Sequence, residues 1–119
     1  MGYKLGSEKR RMRTPEDTPI FKKKLAKGVL AEANKDGSIF VDPSLKKGTA
    51  LYKRTIKHEK QHIKDMKSGR ADYGKNYVKW EGKFYNRKNG MIDGPSGNLP
   101  EGHPNHPWEK SAIKAEKRK

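Results

Sequence analysis

Residues Thr55 to Met66 read TIKHEKQHIKDM, and His58-Glu59-Lys60-Gln61-His62 within them spells H-E-x-x-H. On a helix, residues four apart sit one above the other on one face. His58 and His62 can therefore aim two imidazoles at one point, within reach of a single Zn²⁺. Glu59 stands one step round from His58, placed to hold a metal-bound water and take its proton. A lone histidine on such a face is usually a core residue, so the rest of the chain must supply a helix, a third ligand and a sheet.

The helix comes first. The spacing predicts one from about Thr49 to Lys67, with Thr49 as N-cap and Ser68-Gly69 as the stop. Leu51, Thr55, His58, His62 and Met66 share a stripe that Tyr52, Ile56 and Ile63 widen. Lys53, Arg54, Lys57, Lys60, Lys64 and Lys67 cover most of the remainder. Both histidines thus fall on the half-buried side.

Upstream, Val29-Leu30-Ala31-Glu32-Ala33 and Ser38-Ile39-Phe40-Val41 flank an Asp36-Gly37 turn, a hairpin signal, and Asp42-Pro43 ends the second strand. Ile20 to Lys27 reads as a short helical turn or an extended lead-in. Residues 1–19, with Gly2, Gly6, Pro15, Pro19 and a basic cluster, read as an arm that stays mobile or is ordered by a partner. Residues 20–119 form the single domain. Downstream, residues 70–76 read as a polar loop. Tyr77–Trp80 and Lys83–Asn86 flank Glu81-Gly82 as a second hairpin, its aromatics free to pack over the helix or line a groove. From Arg87 to His106 the chain is rich in Gly, Pro and Asn, which predicts a long irregular loop with at most a short strand at Met91-Ile92.

Composition narrows the function classes. The chain has 119 residues and a net charge of +15, with 30% hydrophobic and 36% charged residues. That allows one modest core and favours anionic partners such as nucleic acid or an acidic protein surface. No apolar run approaches the roughly 18 residues of a membrane span, and no signal-peptide core follows Met1. There are no cysteines, so a metal must be held by histidine and carboxylate. No helix-turn-helix, zinc-finger or aromatic RNA-binding signature appears.

The last element adds an acid. Pro107 suits the first turn of a helix running to about Lys117, with His106 or Asn105 as its cap. Glu109, Ala112, Ile113 and Glu116 share a face, and a carboxylate on an apolar-and-small face calls for a partner. Glu116, Asp72, His103 and His106 are rival third ligands.

His58-Glu59-x-x-His62 followed by Glu109-x-x-Ala112 on a later helix resembles the gluzincin branch of the zincin metallopeptidases. From Ile39 onward the chain is similar to small zincin-like proteins of tailed phages. The resemblance implies an α+β fold: a minimal zincin-like domain with a small antiparallel sheet or hairpins packed on the motif helix and a C-terminal ligand helix. It implies one Zn²⁺ held by His58, His62 and Glu109, with Ala112 letting the helices approach. It implies a metallopeptidase in which zinc-activated water cleaves a peptide or protein substrate, with Glu59 as general base. The peptide would lie along the Ser38–Val41 strand, taken as a sheet edge. Tyr85, His103 and His106 are the candidates to stabilise an oxyanion. The resemblance places the protein in a virion or host cytoplasm, beside other virion proteins. Lys60 departs from the uncharged residues usual at that motif position. The small size, basic arm and charge favour an alternative: a non-catalytic basic virion protein that uses a zincin fold and contacts nucleic acid or acidic partners.

Overall fold

The computed structural model describes Gly2–Leu5 and residues 18–117. The elements run β1 (Gly2–Leu5), β2 (Ile20–Lys22), β3 (Val29–Ala33), β4 (Ile39–Val41), α1 (Ala50–Lys67), β5 (Ala71–Tyr73), β6 (Tyr77–Trp80), β7 (Lys83–Lys88), β8 (Met91–Gly94), β9 (Gly97–Pro100) and α2 (Pro107–Glu116). The fold is α+β. Of the segment read as an arm, Gly2–Leu5 pair with β3, and the basic cluster Lys9-Arg10-Arg11 lies outside the described residues.

The first sheet has strand order β1-β3-β4-β2. Its centre is the antiparallel β3–β4 hairpin. Asp36 shapes the turn by accepting from the Ser38 N–H at 2.9 Å and the Ser38 hydroxyl at 2.6 Å, while Gly37 takes φ +88°. Parallel β2 pairs with the outer side of β4, so Ser38–Val41 is no sheet edge. The expectation of a free substrate edge there is corrected: Ile20–Lys22 of the same chain already occupies it. These residues are extended because β4 supplies hydrogen-bond partners, which local sequence does not reveal.

α1 follows with its expected caps. Thr49 Oγ1 accepts from the Tyr52 N–H at 3.1 Å, and Gly69 takes φ +84° past the end. Ile56 and Ile63 join Ala31, Ala33, Ile39, Val41 and Leu45 in a core beneath the first sheet.

The second sheet is an antiparallel meander, β5-β6-β7-β8-β9. Two expected loops are strands here. Ala71–Tyr73, within the predicted polar loop, pairs with β6. The predicted irregular stretch from Arg87 contains the end of β7, β8, where the short strand expected at Met91-Ile92 lies, and β9. Its key is Asn89-Gly90, with φ of 53° and 76°, a two-residue turn of the kind that suits hairpin twist. Glu81-Gly82 makes the same turn between β6 and β7, with φ of 49° and 86°. One face of this sheet packs Ala71, Tyr73, Val78, Trp80 and Ile92 around Trp108 of α2. Met66 of α1 touches both cores.

Candidate metal centre

Three side chains meet where α1 and α2 pack together. His58 and His62 arrive from α1 one turn apart, and Glu109 arrives from the first turn of α2. The neighbouring Trp108 fixes α2. It stacks on His106 at 4.6 Å and 14°, and meets Trp80 edge-on at 6.2 Å. A second lock joins the helices: Ser111 Oγ donates to Asp65 Oδ2 at 3.1 Å, and Gln61 Nε2 donates to Asp65 Oδ1 at 3.0 Å. Ala112 is fully buried on the same side of α2 as Glu109.

The geometry converges on one oxygen. Glu109 Oε1 lies 2.8 Å from His58 Nε2 and 3.1 Å from His62 Nε2. The ligand-type atoms of His58, His62 and Glu109 all lie within 4.8 Å of one another, and all three residues are buried. This group can hold a metal ion. Its chemistry fits one: His58 is held between two carboxylates, with Nδ1 2.6 Å from Glu116 Oε2 and Nε2 facing Glu109. If Nδ1 donates to Glu116, a neutral ring turns its Nε2 lone pair towards the Glu109 oxygen. A cation or a second proton between them relieves that repulsion.

Glu59 is also fully buried, and neither of its carboxyl oxygens has a hydrogen-bond partner among the described residues. Burial pushes its carboxyl up to about 8; the neighbouring His62 opposes this, while Glu109, Glu32 and Glu116 add to it. Burial alone would raise Glu109 as well, but His62 and the bonds from both imidazoles hold it down at about 2. Burial would lower His62, yet Glu109 raises it above its ordinary value.

The rivals for third ligand fall elsewhere. Glu116 sits behind His58 on the opposite ring nitrogen. Asp72 pairs with Lys35 at 3.0 Å. His103 Nδ1 accepts from the Asn105 N–H at 3.1 Å. His106 stands at the N-cap position of α2 without a side-chain bond to the helix, its Nε2 lies 3.2 Å from the Pro100 carbonyl, and burial lowers its pKa. Tyr85 packs against Trp108 at 6.2 Å. None of these joins His58, His62 and Glu109. The supporting role of Trp108 escaped the sequence reading, and Glu116, expected there as a rival third ligand on the Glu109 face, instead supports His58 from behind.

No helix among the described residues is long and apolar enough to cross a membrane. Comparison with known protein families, with curated proteins and with solved structures finds no match.

Proposed function

We propose that the chain is a zinc-dependent hydrolase of the zincin type, acting on peptide bonds. One observation carries this reading: His58, His62 and Glu109 converge on a point beside a buried Glu59 carboxyl that has no hydrogen-bond partner among the described residues. Two imidazoles and a carboxylate are a donor set that suits zinc. Bound there, zinc would polarise the scissile carbonyl and acidify water. The chain's own residues do the rest. His58 and His62 offer Nε2 from one helix face, and Glu109 closes the set from the other helix. Glu116 fixes the His58 ring from behind. Glu59 takes a proton from the attacking water and returns it to the leaving amine. To act as a base it must be the anion, and a dication nearby would bring its carboxyl back down from about 8.

A second reading rests on the closure of the site. His58 and Glu59 are 0% exposed, Glu109 1% and His62 2%, and β2 covers the outer side of β4. Both features suit a zincin fold stabilised by metal and used as a non-catalytic accessory protein. Zinc content of the untagged chain, followed by peptide hydrolysis, separates the two. One zinc per chain, lost in Glu109→Ala, is expected on either reading. The hydrolase reading also expects Glu59→Gln to keep its zinc and lose hydrolysis by about 10²-fold or more. Zinc without any hydrolysis leaves the accessory reading.

A further inference from the structure

We propose that the outward face of α1 is a binding site for the phosphate backbone of double-helical nucleic acid. Lys53, Lys57, Lys60, Lys64 and Lys67 follow one another at alternating steps of four and three residues along α1. That spacing keeps all five on one line, directly opposite the buried His62. The line runs for about 21 Å at the helical rise. Four of the five are exposed and Lys60 is half-buried. The two acids of α1, Glu59 and Asp65, are both buried on other sides of the helix. Lys53, Lys60, Lys64 and Lys67 form no ion pair among the described residues.

A lysine face serving only the helix would look different. It would carry acids in the first turn and Glu–Lys pairs four apart. Here the first turn holds no acid, and like charges repel one another along the whole line. A row of negative charges relieves that repulsion. Duplex nucleic acid supplies one, at about one charge per 1.7 Å of its axis. A lipid surface fits less well: an interfacial helix buries its apolar face in the bilayer, and the apolar face of α1 is already the core beneath the first sheet. Lysine is a point-charge donor without a planar fork, so the contact reads backbone rather than base sequence. The net charge of +15 adds attraction at a distance.

The test uses the full chain and a short labelled DNA duplex of arbitrary sequence. Five phosphate contacts predict a log–log salt slope near −4.5, or about 500-fold weaker binding between about 50 and 200 mM salt. Two triple variants have equal charge: Lys53, Lys60 and Lys64 to Gln on α1, against Lys75, Lys83 and Lys88 to Gln on the second sheet. The α1 triple should bind at least about tenfold more weakly, with its slope reduced by about 2.7, while the sheet triple stays near wild type. Equal weakening by both triples overturns the site in favour of bulk charge. Vesicles of anionic phosphatidylserine that bind as tightly as duplex and respond to the same α1 triple overturn the partner. Absence of duplex binding by the wild type also overturns the proposal. Should circular dichroism show that the α1 triple is unfolded, single Gln variants decide: Lys53, Lys60 and Lys64 should each weaken binding and flatten the slope by about 0.9, Lys75, Lys83 and Lys88 should not, and equal effects at all six overturn the site.

Discussion

Glu109 places one oxygen between two imidazoles, so its loss leaves two buried ring nitrogens without their partner. Glu109→Ala should abolish stoichiometric zinc binding, measured by metal analysis after dialysis. In the metal-free protein it should also cost about 1–3 kcal/mol, read by denaturant unfolding. Glu116 acts through His58 and not at the metal point. Glu116→Ala should therefore keep the site but weaken zinc about 10–100-fold, measured by competition with a chelating dye. Zinc affinity unchanged in Glu116→Ala would show that the His58 ring needs no such support. Of these residues, His58, Glu59 and His62 were legible because a helical repeat alone brings them together. Glu109 lies 47 residues beyond His62. No local periodicity spans that distance; its place on an apolar-and-small face called for a partner, and only the likeness of the motif pair named His58 and His62. Glu116 shared its face, and only the packing of α2 distinguishes the two.

At the scale of elements, α1 and the two tight hairpins could be read because their caps and turns are local chemistry. Thr49→Ala should lower stability by about 1 kcal/mol through loss of the cap to the Tyr52 N–H. The short strands were legible only in part: Ile20 to Lys27 offered an extended lead-in beside a helical turn, and Ala71–Tyr73 read as loop. β2 and β5 have three residues each, and what makes them strands is a neighbour's backbone. β8 and β9 were legible in part: Asn89-Gly90 is a hairpin dipeptide, hidden by the Gly and Pro residues that follow it. Asp42 gives the first sheet a pH dependence. The Leu25 N–H, then the Ser44 hydroxyl and N–H, hold its carboxyl at about 2, below its ordinary 3.8. A folded value below the unfolded one stabilises above about 4, and that contribution fades as pH falls towards 2. Asp42→Asn should therefore be less stable than wild type near neutrality, and the gap should close in acid unfolding curves. A gap of constant size down to pH of about 2 would remove the carboxylate from the account.

On the scale of the whole molecule, two apolar cores meet at Met66, and the metal-type residues lie where the two helices join. An ion held there would fasten α2, and with it the second sheet, to α1. Zinc at a thousandfold excess over its dissociation constant should stabilise the chain by about 4 kcal/mol. Chelation should lower the melting temperature by several degrees or more, read by calorimetry as one transition. Composition predicted one modest core, and the described residues form two. It did not foretell that the core would be divided by α1, because that division depends on which sheet each short strand joins.

The closed walls around His58, His62 and Glu109 also set a clock. Ligand atoms that solvent cannot touch can exchange a bound ion only while the helices part. Release of zinc into a competing chelator should then speed up with chelator at low concentration and level off at high. The plateau is the rate at which the protein breathes, and it should match the exchange of the slowest amide hydrogens in that part of α1 when both are followed at one temperature.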